Sequence, residues 1–542
     1  MNCLFCMGAF FKILIMKKMF FLIIFFILYL YGFNQNQRWE VYLGTSNRKD
    51  YADDLIETYD KGYFLVGGYD GINGLSIKTD INGTVLYEKD IQSSDDMTVM
   101  AAAQDTNGNI YQCGYLVIGE RSWPYIAKYD SCGNKQWCRV YFGEPEYTSG
   151  WASDIVFGDN GEIIVLTYLN SYEQNKQIFL FGFDTDGNNI WINAYATKDD
   201  YPLIANAVAY HLTKNNSEYI IIGYCYWPFP DDSNHVFLRP FFIGVDSLFE
   251  EKWILPFAVM DSVFGKAYSC IALNDSINVG VGERWIAGNS KNSILMYFNN
   301  EGEELDYIQI PNDAIGPDII ANVSRDIEKI NDSVLITSSI WGSTNDGILG
   351  ELILDTNGTI YNLQERADSL ASSPYLIKTF DSCFVISVDI KITLYDWDIL
   401  IYKIDENLES VPFDTNQYTY DSLCPHQITS STIDLSDCLI WTDIGETPTP
   451  EEYYAKLKTI PIKAFPNPAK ENITFGFENT KYHQNMQLQC FDIFGRIIFK
   501  EKIYTGQLET EINVSQWNEG LYVAVVMSEG KVLGKVKFMV LR

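Results

Sequence analysis

The chain has 542 residues, 71 acidic against 39 basic side chains and a formal net charge of −32. Such an excess of negative charge repels nucleic acids and anionic membranes, so it argues against either as a partner. The length allows two or three domains, and an aromatic content of 15% with 36 tyrosines is typical of a large β protein.

The chain begins with a segment typical of a secretory signal peptide. Lys17 and Lys18 precede an uncharged run from Met19 to Phe33, which is shorter than the roughly 20 residues that span a membrane. Residues 1–33 are therefore predicted to be an export signal, with a membrane anchor as the alternative. No transmembrane anchor is expected in the mature chain.

Residues 34–414 contain a repeated hairpin pattern. An Asp or Asn closes a short apolar strand and is usually followed three residues later by Gly and about seven residues later by a large aromatic residue. The Asp side chain can bind the backbone two residues on, and Gly supplies the positive φ of a tight turn. The seven anchors are Asp80, Asp130, Asp184, Asp246, Asn299, Asp355 and Asp405.

Each repeat also contains earlier apolar strands, such as GEIIVLT from Gly161 and the stretch Ala152–Phe157 before it. Four short strands in roughly 50 residues predict a propeller blade, so the predicted fold is all-β, with a seven-bladed β-propeller over residues 34–414. Residues 38–44 resemble an outermost strand, which the seventh repeat lacks. We therefore predict that this N-terminal strand completes the last blade and closes the ring.

Residues 415–460 interrupt the repeat. They are rich in Ser, Thr, Pro and Glu, a composition that predicts a linker, with a short helix expected near Glu451–Leu457. Cys424 and Cys438 lie in this segment and are candidates for a disulfide, which an oxidising compartment would allow.

The other cysteines divide into two groups. Cys132 and Cys138 flank one hairpin turn and are a second candidate pair. The rest lie in apolar, strand-like runs and are expected to be small buried hydrophobic residues. They are Cys113, Cys225, Cys270, Cys383 and Cys490.

The last eighty residues carry four sequence blocks in a fixed order. FPNPA begins at Phe465, FDIFGRII at Phe491 and VSQWNEGLYVAVV at Val514, and GKVLGKVKFMV ends at Val540. Over residues 461–542 this order resembles the C-terminal sorting domain of proteins exported by the type IX secretion system of Bacteroidetes. Phe465 stands where that family more often has Tyr. The resemblance rests on Pro466, Asn467, Pro468, Asp492, Gly495, Trp517, Gly520, Tyr522, Lys531 and Lys537.

This resemblance implies an immunoglobulin-like β-sandwich that the outer-membrane translocon and its sorting machinery recognise. In the family the sandwich is usually removed, and the passenger is released or attached to surface lipopolysaccharide. A secreted or cell-surface location follows as an expectation. The same positions also suit a fold, because Gly495 and Gly520 fit turns and Trp517 can fill a sandwich core.

No catalytic, metal-binding or cofactor-binding motif is recognisable, and no such residue is assigned. The histidines His211, His235, His426 and His483 form no zinc signature, and each is expected to be a surface or hydrogen-bonded residue. The sequence contains no G-x-S-x-G nucleophile elbow and no phosphate-binding glycine loop. Asp184–Asn188 resembles a calcium loop only superficially, because position twelve is Tyr195 rather than Glu.

The connections between the second and third strands of the predicted blades are rich in aromatic residues. On one face of a propeller, exposed rings beside acids and amides can hold a sugar or a peptide. The alternative is that the rings fill the space between adjacent blades. The candidates are Tyr69, Trp123, Tyr168, Trp227, Trp285, Trp341 and Trp397.

Two functions from different classes fit these observations. The first is a non-enzymatic, secreted or surface-displayed propeller that binds a glycan or a protein through the aromatic face. The second is a secreted propeller enzyme, either a glycan lyase or hydrolase or a quinoprotein-like dehydrogenase. The spacing of Asp, Gly and Trp in the repeats distantly resembles the docking repeats of quinoprotein dehydrogenases. Several carboxylates and a histidine in one pocket would favour the enzyme, whereas an aromatic rim without such a cluster would favour the binding protein.

Overall fold

The computed structural model describes residues 39–542, apart from 144–146, 172–176, 197–205, 216–217, 230–231, 262, 287–289, 317–318, 344–345, 368–373, 443–447, 451–458, 481–482 and 529. The predicted signal peptide (1–33) and the helix expected near Glu451–Leu457 lie outside the described residues. The described chain contains 37 strands and one short helix, which confirms the all-β class. None of its helical structure has the length and apolar character of a membrane span.

Residues 40–404 form seven antiparallel sheets of four strands each, one for every sequence repeat. The chain enters with β1 (Glu40–Leu43). The first sheet begins with β2 (Asp50–Glu57), β3 (Tyr63–Tyr69), β4 (Asn73–Thr79) and β5 (Val85–Gln92), and the second with β6 (Met97–Gln104), β7 (Ile110–Ile118), β8 (Arg121–Tyr129) and β9 (Lys135–Tyr141).

The third and fourth sheets follow in chain order. The third contains β10 (Tyr147–Phe157), β11 (Ile163–Ser171), β12 (Ile178–Phe183) and β13 (Asn189–Tyr195), and the fourth contains β14 (Asn206–Asn215), β15 (Glu218–Phe229), β16 (Asp232–Val245) and β17 (Glu251–Pro256). In both sheets each strand pairs with the next strand along the chain.

The remaining sheets repeat this order. The fifth contains β18 (Gly265–Ala272), β19 (Ile277–Trp285), β20 (Lys291–Asn299) and β21 (Glu304–Ile310), and α1 (Asn312–Ile315) follows it. The sixth contains β22 (Asn322–Asn331), β23 (Val334–Ser343), β24 (Asp346–Asp355) and β25 (Ile360–Ala367). The seventh contains β26 (Tyr375–Lys378), β27 (Phe384–Thr393) and β28 (Asp396–Ile404).

The fourth strand of the seventh sheet comes from the other end of the repeat region. β1 pairs antiparallel with β28, so that Glu40 lies opposite Tyr402, which confirms the predicted place of the N-terminal strand. Trp39, just before β1, is buried, and its indole N–H donates to the Ile81 carbonyl oxygen at 2.8 Å. Since Ile81 directly follows the third strand of the first sheet, Trp39 joins the last sheet to the first.

The repeated Asp and Gly residues form the turns that the sequence predicts. The Asp80 carboxylate accepts hydrogen bonds from the backbone N–H groups of Asn82 and Thr84, both at 2.8 Å, and Gly83 has a φ of +79°. The same pattern of backbone hydrogen bonds recurs at the six other anchors, Asp130, Asp184, Asp246, Asn299, Asp355 and Asp405. In the first six sheets the turn joins the third strand to the fourth, and the Asp405 turn follows the third strand of the seventh sheet.

The aromatic residue after the turn packs back over the third strand. In the third sheet Trp191 is buried and lies opposite Gly182. A Cβ atom at Gly182 would lie 2.2 Å from the Trp191 ring. The glycine is therefore required for the close approach of the ring, and a side chain at that position would displace the tryptophan.

Neighbouring sheets are also joined by carboxylates near their inner edges. In each case an aspartate oxygen accepts a hydrogen bond from a backbone N–H of the next sheet, at 2.7–2.9 Å. The pairs are Asp54 with Ala102, Asp154 with Leu212, Asp326 with Leu376 and Asp389 with Ala52. The last pair joins the seventh sheet to the first.

Residues 415–441, which fall in the expected linker, are attached to the first two sheets. β29 (Ser431–Asp434) pairs parallel with β5, and β30 (Leu439–Trp441) pairs parallel with β9. Each of these sheets thereby gains a fifth strand. Two disulfides hold the segment in place, Cys132–Cys424 and Cys138–Cys438.

These disulfides show that both candidate pairs, Cys424–Cys438 and Cys132–Cys138, were wrong. Between Cys424 and Cys438 the chain runs as β29 along β5 of the first sheet, and each cysteine lies beside a different residue of the second sheet. Of the remaining described cysteines, Cys113, Cys225, Cys270 and Cys490 are buried, as expected, and Cys383 is half-buried.

We expect peptide mapping of the exported protein to find Cys132 linked to Cys424 and Cys138 linked to Cys438. Alkylation of the unfolded, unreduced protein should label only the free cysteines of the described chain, which are Cys113, Cys225, Cys270 and Cys383, together with Cys490 where the sorting domain is retained. Replacing Cys424 with serine should lower the free energy of unfolding by about 2–4 kcal/mol, because a cross-link between distant residues restricts the unfolded chain. A Cys424–Cys438 peptide would contradict this connectivity.

Two further sheets follow and share one apolar core. One contains β31 (Ile462–Phe465), β32 (Asn472–Phe477) and β35 (Glu509–Asn513), and the other contains β33 (Met486–Phe491), β34 (Ile497–Ile503), β36 (Gly520–Ser528) and β37 (Lys531–Val540). Phe475 of one sheet contacts Phe538 of the other, with ring centroids 5.2 Å apart. The two sheets therefore pack face to face.

The motif residues of this C-terminal region divide into structural and exposed positions. Trp517 packs against Tyr522, with ring centroids 5.1 Å apart, and the Tyr522 hydroxyl donates to the Asn518 carbonyl oxygen at 2.7 Å. Gly495 and Gly520 have positive φ, and Asp492 accepts hydrogen bonds from the turn that contains Gly495. The exposed positions are Pro466, Asn467, Pro468, Lys531 and Lys537.

Candidate functional site

A cavity of about 680 Å³ lies where the first strands of the seven sheets meet. Every first strand, from β2 to β26, contributes lining residues. A cavity of this size is within the range that ligand pockets occupy. Because residues from all seven sheets line this cavity, we take it as the candidate ligand-binding site.

Six of the seven first strands carry a β-bulge at the same place. A bulge sets two residues of one strand against one residue of its partner and redirects the extra side chain. In all six strands the bulged residue lines the cavity, and in five of the six it is polar or charged. The bulged residues are Asp53, Met100, Ser153, Tyr210, Tyr268 and Arg325.

The carboxylates of the cavity wall have structural partners. Asp54, Asp154 and Asp326 each accept one hydrogen bond from the backbone N–H of the following residue and one from the next sheet. Burial raises the pKa of Asp54 to about 7, although its backbone hydrogen bonds act in the opposite direction. These three residues therefore hold adjacent sheets together as well as lining the cavity.

His211 follows the bulged residue of the fourth sheet. Its Nδ1 atom lies 2.7 Å from the Asp154 carboxylate, and the side chain is 45% exposed to the cavity. Burial favours the neutral ring, but the charge and hydrogen bond of Asp154 outweigh it and raise the pKa of His211 to about 9. The imidazole is therefore a cation at neutral pH, paired with an acid that also joins two sheets.

Replacing Asp154 with asparagine should lower the pKa of His211 from about 9 toward its ordinary value of 6.5, because burial then acts without the paired charge. NMR titration of the imidazole C–H signals measures this directly, and His211→Asn identifies the signal by removing it. Asparagine keeps one of the two oxygens that accept backbone hydrogen bonds from Ile155 and Leu212. An unchanged midpoint in Asp154→Asn would contradict the assignment.

The same ion pair predicts a pH dependence of stability. Because folding raises the pKa of His211, the pair stabilises the fold fully below about pH 6.5 and loses this contribution as the pH rises through about 9. The difference in unfolding free energy between the wild type and His211→Asn should therefore shrink over that interval.

Aromatic and positively charged side chains lie together on the fourth, fifth and sixth sheets. We refer to Tyr210, Lys266, Tyr268 and Arg325 as the Tyr–Arg cluster. The rings of Tyr210 and Tyr268 are stacked with centroids 6.0 Å apart, and the Arg325 guanidinium lies 4.0 Å from the centroid of Tyr268. Lys266 Nζ donates to the Tyr210 hydroxyl at 3.4 Å.

A second group borders this cluster on the fifth sheet. The buried Glu283 carboxylate accepts hydrogen bonds from the Trp285 indole at 2.5 Å and from Lys291 at 2.9 Å. Trp285 lines the cavity and is 43% exposed. Glu283 therefore fixes the orientation of an exposed aromatic ring at the cavity wall.

The seven aromatic residues expected on one face differ in their exposure and in whether they line the cavity. Trp123, Tyr168 and Trp341 are buried, so for these three the ligand-face interpretation was wrong and the packing alternative holds. Tyr69, Trp227 and Trp397 are half-buried and do not line the cavity. Of the seven, Trp285 lines the cavity. Burial of the others follows from contacts with neighbouring residues, such as the pairing of Trp123 with Phe142 at 4.8 Å.

One group of side chains in the described part of the chain has the spacing of metal ligands, Cys132, Cys424 and His426. The two cysteine sulfurs are joined in a disulfide. A disulfide provides no thiolate, the form of cysteine that binds metals. This group is therefore not assigned as a metal site.

Comparison with known proteins places the C-terminal region. Residues 463–540 match the family described as secretion system C-terminal sorting domain. The chain is therefore a cargo of the type IX secretion system, and it is located outside the cell, secreted or attached to the cell surface. No curated protein matches the sequence significantly.

Solved structures resemble the chain only remotely. The extracellular domain of a protein described as a one-component system of B. thetaiotaomicron is 11% identical, with a TM-score of 0.39; the match covers 92% of this chain and spans 57% of the length of that chain. A polysaccharide lyase described as an ulvan lyase is 11% identical, with a TM-score of 0.44, covering 68% of this chain and 95% of the other. Likenesses this distant carry no argument about ligand or reaction.

Proposed function

We propose that this type IX cargo is a glycan-binding protein whose central cavity holds the ligand. In this proposal the seven sheets form a closed seven-bladed β-propeller over residues 34–414, after a signal peptide at 1–33. Residues 415–460 connect the propeller to an immunoglobulin-like sorting domain at 461–542. The export machinery recognises this domain through the motif residues described above. Support for a closed ring comes from β1 in the seventh sheet and from the hydrogen bond of Ala52 to Asp389.

The observation that carries the binding function is the composition of the cavity. It combines stacked tyrosines, an exposed tryptophan held by Glu283, and cationic side chains. Sugars are bound by flat apolar faces beside groups that hydrogen-bond their hydroxyls. Trp285 and Arg325 offer these two kinds of contact within one cavity.

Binding is favoured over acid–base catalysis because most of the ionisable groups are already engaged. Asp54, Asp154 and Asp326 accept backbone hydrogen bonds between sheets, and His211 is paired with Asp154. Burial also raises the pKa of Tyr210 and Tyr268 above the ordinary tyrosine value, so neither is a phenolate at neutral pH. These groups shape and orient the site.

A glycan array with the exported protein tests this function. We expect Trp285→Ala to weaken binding about two- to tenfold, because an aromatic contact contributes about 0.5–1.5 kcal/mol. Trp227→Ala is the matched control, since Trp227 does not line the cavity. The absence of glycan binding, or an equal loss in both variants, would overturn the proposal.

A second candidate is a glycan lyase or hydrolase, and Asp53 favours it. Burial and the neighbouring Asp389 and Asp54 raise its pKa well above the ordinary value. A carboxyl group of this kind is a candidate general acid. If the protein shortens a bound glycan and Asp53→Asn stops the reaction without abolishing binding, the enzyme is the correct assignment.

A further inference from the structure

Arg325 is a cation without an acidic partner. Within the described part of the chain it forms no salt bridge, and its buried Nε–H has no hydrogen-bond acceptor. The adjacent carboxylate, Asp326, is engaged by the backbone N–H groups of Ile327 and Leu376. The guanidinium lies instead against the face of Tyr268, so its remaining donors are available to a ligand.

Lys266 is in a similar position on the neighbouring fifth sheet. Its ammonium group lies 4.5 Å from the Tyr224 ring centroid and donates to the Tyr210 hydroxyl. Burial lowers the pKa of Lys266, Glu283 acts against this, and Arg325 and Lys291 lower it further. Lys266, Lys291 and Arg325 all line the cavity, so three positive charges lie in this part of it.

The two carboxylates beside these three cations, Glu283 and Asp326, already have partners. Glu283 binds Lys291 and Trp285 through its two oxygens and has a fully buried side chain. Lys266, Lys291 and Arg325 therefore outnumber the two carboxylates beside them, Glu283 and Asp326. Elsewhere in the cavity wall, burial raises the pKa values of Asp53, Asp54 and Glu328, which favours their neutral forms. Leaving buried charge without a counterion is unfavourable, and an anionic ligand group would remove that cost.

We propose that Arg325 and Lys266 form a subsite for the acidic group of a glycan, whose sugar ring lies against Trp285. This inference rests on the proposed glycan-binding function and specifies its ligand class as acidic sugars. The planar guanidinium suits two-point binding of a carboxylate or sulfate oxygen pair, and the ammonium adds a single charge. Both ester sulfates and uronate carboxylates present this chemistry.

The test is an array in which each acidic glycan stands beside a neutral partner. Uronate polymers are paired with their carboxyl methyl esters, and sulfated galactans with their desulfated forms. We expect the acidic members to bind and the neutral ones to bind at least tenfold more weakly. Which acidic series binds distinguishes a carboxylate from a sulfate ligand.

Site variants locate the interaction. Arg325→Gln and Lys266→Gln should each weaken binding of the acidic member about ten- to a hundredfold, because hydrogen bonds to charged groups are strong. Lys252→Gln removes one positive charge from a surface pair with Glu218 and is the control, with binding unchanged. Arg325→Lys should keep part of the affinity, which separates loss of charge from loss of fold.

The outcomes distinguish the two proposals. Equal binding of acidic and neutral partners would overturn the acidic subsite and leave the glycan-binding function intact. Selective binding of acidic glycans that Arg325→Gln and Lys266→Gln do not weaken would place the acidic subsite elsewhere and overturn it. An array without any bound glycan would overturn the function, and the subsite with it.

Discussion

Replacing Trp39 with alanine should lower the free energy of unfolding by about 3–5 kcal/mol, the range for removing a large buried aromatic side chain. Trp39 is buried, packs edge-on against Tyr63 at 5.8 Å and donates to the Ile81 carbonyl oxygen. It lies in the chain that supplies β1 to the seventh sheet. The substitution therefore leaves a cavity at the junction between the last and first sheets.

Denaturant unfolding followed by circular dichroism measures this effect. Tyr395→Ala is the control, because Tyr395 lies in the same seventh sheet region and is 71% exposed; its effect should stay within about 0.5 kcal/mol. If Trp39→Ala costs no more than Tyr395→Ala, the N-terminal chain does not stabilise the junction.

Replacing Lys78 with methionine should cost about 3–5 kcal/mol, because it leaves a buried carboxylate without its counterion. Lys78 Nζ lies 2.7 Å from Asp60, and both side chains are buried. Asp60 also accepts a hydrogen bond from the backbone N–H of Asp421 at 2.8 Å. The pair therefore connects the first sheet to the segment that the disulfides hold.

The same unfolding measurement separates this pair from surface pairs. Lys252→Met breaks a partly exposed pair with Glu218 and should cost about 0–1 kcal/mol. The double variant Lys78→Met, Asp60→Leu should recover part of the stability lost in Lys78→Met, since no buried charge is left. A single substitution as mild as Lys252→Met would show that Asp60 does not need its partner.

Features that depend on neighbours in sequence could be predicted. The turn at Asp80 and Gly83 is set by the side-chain carboxylate and the positive φ of glycine, both local properties. The repeat of such turns predicted the four-stranded units, and the missing strand after Asp405 predicted the pairing of β1. The four blocks between Phe465 and Val540 predicted the sorting domain that the family match supports.

Features that depend on distant chain segments could not be predicted in the same way. The disulfides join residues 292 and 300 positions apart, and nothing local to Cys424 or Cys438 selects those partners. Trp341 and Trp285 lie near the ends of the second strands of their sheets, yet Trp341 is buried by its neighbours while Trp285 is exposed. Exposure of an aromatic ring is a tertiary property.

The cavity residues follow a sequence pattern of their own, which differs from the Asp–Gly turn pattern used to define the repeats. A polar or aromatic residue precedes the inner-edge position of the first strands, as in Tyr210–His211 and Arg325–Asp326. The β-bulge at that position turns Tyr210, Tyr268 and Arg325 into the cavity. Aligning the first strands on the bulge, rather than on the Asp–Gly turn, would have brought these residues together.

The most direct test of a ligand site in the cavity is an NMR titration of the folded protein with the acidic glycan that binds best. The protein is prepared with its sorting domain retained, so that His211, in the cavity wall, and His483, in the C-terminal sorting region, are both observed. The His211 signal should shift saturably with glycan concentration while the His483 signal stays in place, and Arg325→Gln should weaken the response. A saturable shift at His483 with none at His211 would place the ligand outside the cavity and contradict the assignment.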